Sequence, residues 1–241
     1  METTQNQAPQ KKSGPGFIIG IFAIIGVLTI VGFSILFIGI IAFSGEKGVP
    51  GNTILEINFE RGFIDDVPDD PIANAMLGTN LIVRDVLDAL EKAKDDDRVS
   101  AVVAKIGSGS ISLAHIQEFR DAIADFKTSG KPAVAWSETF GEFGPGNGAY
   151  YLATAFDEIY LQPSGDLGLT GLMSEGMFLK GVLDKLGIVP RGDRRMEYKS
   201  AFNQFTETGY TEFHREATTK VIDSQFGQIV RGISKARGFS E

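Results

Sequence analysis

From Phe17 to Phe43 the chain carries no charged residue; Ile, Phe, Val and Leu are interrupted only by Gly, Ala, Thr29 and Ser34. At about 1.5 Å per residue a helix over this run is roughly 40 Å long, more than the ~30 Å hydrocarbon core of a bilayer. The pattern therefore predicts one transmembrane helix at 17–43, spanning with tilt or with its ends among the headgroups. A cleaved signal peptide competes, because the run follows the basic pair Lys11-Lys12 near the N-terminus. Signal h-regions are typically only about 7–15 residues, so the length favours a retained anchor. Glu46 and Lys47 behind the run cancel each other. The positive-inside bias of Lys11-Lys12 then keeps the N-terminus in the cytoplasm and sends the rest of the chain, from about Ser44, across the membrane. Residues 1–16, rich in Gln, Pro, Gly and Ser, predict a disordered tail, and 44–52, with Gly48-Val49-Pro50-Gly51, a linker.

Beyond the linker, the pattern alternates between two periods. Thr53 to Phe59 alternates apolar and polar residues as a half-buried strand does, and Val99 to Ile106 is a nearly continuous apolar run, as in a strand buried on both faces. Between them Leu81, Ile82, Val86, Leu87 and Leu90 share a helical face in 81–93; Leu113, Ile116, Phe119, Ile123 and Phe126 do so in 111–126. Strands at 131–136, 158–161 and 188–191 and helices at 148–155, 175–186 and 211–235 complete the prediction. Repeated β-α-β succession over 53–241 implies an α/β domain with largely parallel strands.

Composition narrows the function. The chain has 31 Asp and Glu against 23 Lys and Arg, net charge -8, and no basic stripe, which excludes nucleic acid as an expected partner. The chain contains no cysteine, so a thiol nucleophile and a Cys-ligated metal are excluded. His115 and His214 lie far apart in helical contexts and read as packing or surface residues. Asp95-Asp96-Asp97, and Asp65-Asp66 with Asp69-Asp70 around Pro68, read as solvated acidic turns. The sequence calls for no cofactor and no metal.

The glycine-rich stretches say more. Gly107-Ser108-Gly109-Ser110 follows the buried strand and precedes a helix, where backbone N–H groups can converge on an anion or oxyanion; without a partner motif, a plain tight βα turn is the favoured reading. It lacks the Gly-Lys-Ser/Thr ending of a P-loop. The second stretch, Gly141 to Tyr151, again leads from a strand into a helix and places Asn147 at the mouth of the same sheet.

Several segments together carry a resemblance: Gly148-Ala-Tyr-Tyr-Leu-Ala153, Ile159-Tyr-Leu-Gln-Pro163, Gly168-Leu-Thr-Gly171, Leu183-Asp-Lys-Leu-Gly187 and Glu197-Tyr-Lys-Ser-Ala201. From about Ile54 the sequence resembles the N-terminal half of the long, two-domain signal peptide peptidases of the SppA type, membrane-anchored members of the Clp-protease/crotonase superfamily. The resemblance implies that fold, an oligomer of identical chains, hydrophobic signal-peptide remnants as substrate, and a Ser–Lys dyad. It places Lys199 at the general-base position. A lysine serves as base only when neutral, which asks its pKa to fall from ~10.4 towards ~7–8. Aligned on Tyr150-Tyr151, Asn147 stands where single-domain relatives carry the nucleophilic serine, and asparagine cannot form an acyl-enzyme. In two-domain relatives the N-terminal half supplies the lysine and a second, serine-bearing domain the nucleophile. The expectation is thus a serine endopeptidase whose lysine half is this chain, inactive by itself. A catalytically silent scaffold or peptide-binding subunit of the same fold remains open. A crotonase-type acyl-CoA enzyme is disfavoured by the expected location, because CoA thioesters are cytosolic.

Overall fold

A computed structural model describes residues 15–43, 48–65, 70, 80–107, 109, 111–142 and 144–240, the side chains of 15–18 and 39–43 excepted. The predicted tail at 1–14, part of the linker (44–47), Asp66, Asp69, Ser108 and Ser110 lie outside these residues. The chain divides into two compact units, Met1–Val49 and Pro50–Glu241.

The first unit holds helix α1 (Pro15–Phe43). Its stretch Ile19–Ile38 is long and apolar enough to cross a membrane, and none of it is buried against protein. The two hydroxyls within it turn back onto the helix: Thr29 Oγ1 donates to the Ile25 carbonyl at 2.7 Å and Ser34 Oγ to that of Ile30 at 2.8 Å. Such bonds leave no side-chain donor to seek water, as an apolar surround requires.

The second unit is built on a parallel sheet of β1 (Thr53–Asn58), β4 (Val99–Lys105), β5 (Ala133–Ser137) and β6 (Glu158–Leu161), in the order β1-β4-β5-β6. A two-stranded parallel ladder joins β2 (Phe63–Ile64) to β3 (Leu81–Ile82). Helices α2 (Val83–Asp95) and α3 (Leu113–Lys127) pack together and bury Leu90, Phe119 and Ile123 completely. Phe119 sits edge-on to Phe59 at 5.0 Å between ring centres and 5.0 Å from Phe63. Helix α4 (Asn147–Ala153) packs on α3, and the long α7 (Glu212–Arg237) on α4. Short helices α5 (Lys180–Lys185) and α6 (Asn203–Thr206) lie between. Together these form the Clp-protease/crotonase-like α/β fold that the resemblance implies.

Capping fixes the main helices. Ser112 accepts from the His115 amide at the start of α3, and Thr211 from the His214 amide at the start of α7. Gly238, at φ 70°, ends α7 in the left-handed conformation that glycine adopts without strain. The Arg120 guanidinium straps α7 down: it donates to the Gly232 carbonyl at 3.3 Å, to Thr154 Oγ1 at 2.8 Å and to the Tyr151 carbonyl, and lies 4.0 Å over the Tyr151 ring. Burial pushes its pKa down from the ordinary value.

Four expectations need correction. Leu81 and Ile82 belong to a strand, paired with Phe63 and Ile64, so the helix predicted from 81 starts at Val83. The run at 99–106 was expected as a buried strand, but its burial is one-sided: Val102, Ala104 and Ile106 are fully covered, while Val103 and Lys105, on the other face, are half-buried. The helix expected over 175–186 shrinks to Lys180–Lys185. No strand forms at 188–191: Gly187 turns the chain at φ 67°, and Val189 is 78% exposed with no neighbouring strand to pair with.

Candidate active site

In open parallel sheets, ligands bind beyond the carboxyl ends of the strands. There β4 runs into Ile106 and Gly107, and β5 into the turn Phe140–Gly146, which leads into α4. A cavity of about 500 Å³ opens between these turns, with apolar walls from Phe59, Ile106, Ile111, Ile116 and Leu172. Gly107, Gly109, Gly146 and Asn147 also line it, so both glycine-rich stretches meet in one place. Gly109 is required by proximity, because a Cβ there would stand 2.6 Å from the Phe59 carbonyl oxygen.

Asn147, the first residue of α4, is buried at 6% exposure. Both ends of its amide are engaged with one partner. Nδ2 donates to the Gly171 carbonyl at 2.7 Å and Oδ1 accepts from the Gly171 N–H at 3.2 Å. Gly171 takes φ 83°, which presents its N–H and C=O together. Backbone bonds continue the seam: Gly146 N–H to the Gly168 carbonyl at 2.8 Å, and Gly168 N–H to that of Phe140 at 2.7 Å. The side chain where a nucleophile was sought thus holds the segment 168–172 against the glycine turn. This partner lies 24 residues away, and nothing in the spacing of Asn147 announces it.

Lys199 is exposed and does not line the cavity. It and Ser200 lie at a turn. Met196 takes a left-handed φ of 68°, Lys199 N–H reaches back to the Met196 carbonyl at 3.4 Å, and Asn203 N–H bonds the Ser200 carbonyl at 2.9 Å. A non-glycine residue at such a φ is strained, and strain of this kind gathers at functional turns. The neighbour Tyr198 donates its hydroxyl to Glu216 Oε2 at 2.7 Å, and that carboxylate holds the phenol above its usual pKa. Glu216 is itself held low by Lys220, 2.6 Å away, and then by Tyr198.

A charged group at the strand ends escaped the sequence reading. Lys105 Nζ lies 2.8 Å from Glu60 and 3.0 Å from Glu138, 5.0 Å over the Trp136 ring. Glu60, then Glu138, raise its pKa and keep it cationic. Its two partners follow different strands, so only the sheet brings them together. The acidic turns read as expected in part: Asp96 pairs with Arg98 at 2.7 Å, which lowers its pKa to about 2, and Asp65 pairs with His115 Nε2 at 2.9 Å.

Residues 125–241, from the end of α3 through α7, match the profile of Peptidase family S49. Protease 4 of Haemophilus influenzae is 28% identical over 224 residues, 87% of this chain and 35% of that protein. Protease 4 of Salmonella typhi is 28% identical over 212 residues, 82% and 32% of the two. The chloroplastic serine protease SPPA of Arabidopsis thaliana is 33% identical over 147 residues, 61% and 21%. The chain therefore spans about a third or less of the length of these relatives. Their names agree with the SppA-type resemblance, and both Lys199 and Asn147 fall inside the S49 match.

Proposed function

We propose that this S49 domain is the lysine-bearing half of a membrane-anchored serine endopeptidase that degrades hydrophobic peptides such as cleaved signal peptides, with Lys199 as general base. α1 is the anchor, with the N-terminus cytoplasmic and the catalytic domain on the outer face. The reading rests on one observation above all: Lys199 sits on a strained turn within the S49 match, while the amide of Asn147 is fully engaged in structure. Neutral Lys199 takes the proton from a serine Oγ as that oxygen attacks the scissile carbonyl, then returns it to the leaving amine. Water hydrolyses the acyl-enzyme through the same base. The serine comes from a second domain or a second chain. That partner also covers Lys199, since a general base must be neutral and desolvation favours the neutral amine.

Lys199→Ala in the full-length enzyme is expected to abolish peptide hydrolysis while leaving the thermal melt unchanged. Lys199→Arg is expected to be equally inactive, because a guanidinium is not deprotonated at working pH. Substantial turnover by Lys199→Arg would remove the general-base role. A second reading, a catalytically silent scaffold or peptide-binding subunit, is favoured by the exposure of Lys199 and the engaged Asn147. Retention of full hydrolysis in both lysine variants, by an enzyme whose second domain acts unaided, would establish it for this half.

A further inference from the structure

Tyr198 is half exposed, yet it is held at both its ring and its hydroxyl. The ring stands edge-on to Phe213 at 5.3 Å and 71°, and the hydroxyl donates to Glu216 at 2.7 Å. Phe213 and Glu216 are three residues apart on α7, hence neighbours on one face of its first turns. Lys220, one turn further on, fixes the Glu216 carboxylate from the other side at 2.6 Å. On the far side of the turn, Asn203 is fully buried in a segment where little else is. It accepts from Arg194 and donates to Thr211 Oγ1, the cap of α7, at 3.4 Å. Lys199 therefore hangs between two attachments, both to the first turns of α7, and Arg120 straps α7 in turn to α4.

We infer that Tyr198 and Glu216 are positioning residues, a clamp that sets the direction in which the Lys199 amine leaves the turn. The inference rests on the general-base reading of Lys199. A side chain of four rotatable bonds delivers its amine to a serine hydroxyl only if its backbone is fixed, and a base within hydrogen-bond reach of the proton it takes is the geometric requirement. The contact contributes little to folding, because an exposed phenol–carboxylate bond replaces bonds to water. Its value lies in orientation. The turn that it fixes is also the strained one, which would otherwise relax from the left-handed φ of Met196.

The test is steady-state hydrolysis by the full-length enzyme. Tyr198→Phe and Glu216→Ala are each expected to lower kcat about tenfold with KM and the thermal melt unchanged, and the double variant to lose no more than either alone. Glu216→Gln is expected to keep most of the activity, since its amide oxygen still accepts from the phenol. A melt lowered in Tyr198→Phe with kcat per folded enzyme intact would reduce the clamp to a stabilising contact and overturn the inference. So would wild-type kcat in Tyr198→Phe while Lys199→Ala is dead, an outcome that leaves the base reading standing. Full turnover by Lys199→Ala would overturn both together.

Discussion

Residues 50–162 and 163–240 of the second unit are held together in different ways. The first segment stacks α2 and α3 on the sheet and buries Leu90, Val102, Phe119, Ile123 and Phe126 almost completely. In the second, among the described residues, only Asn203, Ile229 and Ser234 are buried, while Met173, Met177, Val189 and Met196 are each more than 70% exposed. Large apolar residues left open in this number are what a protein interface looks like before its partner arrives. Stability resides in one segment, and the candidate base, with the turn that carries it, in the other.

The contrast can be broken most sharply at Phe119. Phe119→Ala removes the ring that packs on both Phe59 and Phe63 and is expected to cost about 3–5 kcal/mol. Denaturant unfolding of the second unit reads it, and a loss under about 1 kcal/mol would mean that the sheet core is not the seat of stability. Asn147→Ala strands the N–H and C=O of Gly171 and is expected to cost about 1–3 kcal/mol. It should also expose the 168–172 segment to limited proteolysis; an unchanged digest would show that the amide does not hold the two segments together. Asp96 gives a smaller effect. Its folded pKa, about 2, lies below the ordinary carboxyl value of 3.8, so its pairing with Arg98 stabilises above pH 4 and is lost as pH falls from there towards 2. Asp96→Asn should flatten that part of the stability profile, and an identical profile would remove the pair from the account. Smallest of all, Met177→Ser is expected to change stability by less than about 0.5 kcal/mol in this unit, while weakening assembly in size-exclusion runs of the full-length protein. A large loss of stability there would mean that the second segment has a core of its own.

The same contrast explains how much was legible in the sequence. Where apolar spacing is answered by burial within the chain, as at Ile116, Phe119, Ile123 and Phe126, the period identified the helix and its inward face. At Val182, Leu186, Ile188 and Val189 the apolar residues are just as dense, but what they pack against is not in this segment, and the expected strand does not form. Periodicity shows that a residue seeks cover; it does not show where the cover comes from. Lys199 was reached through a motif resemblance, since nothing in its spacing marks it as a base. Its links run from Tyr198 to Glu216, 18 residues on, and from Asn203 to Thr211, and only folding closes such distances. Asn203 itself, a polar residue between Phe202 and Gln204, gave no sign that it would be wholly buried.

The paired bonds between Asn147 and Gly171 work as an extra rung of backbone ladder made from a side chain. A carboxamide carries the same donor and acceptor as a peptide group, set side by side; a hydroxyl presents both functions from a single atom. A serine at this position would have to answer both Gly171 groups from one oxygen, in a half-buried setting. Asn147→Ser would therefore place a hydroxyl at the cavity on a looser mount than the carboxamide has.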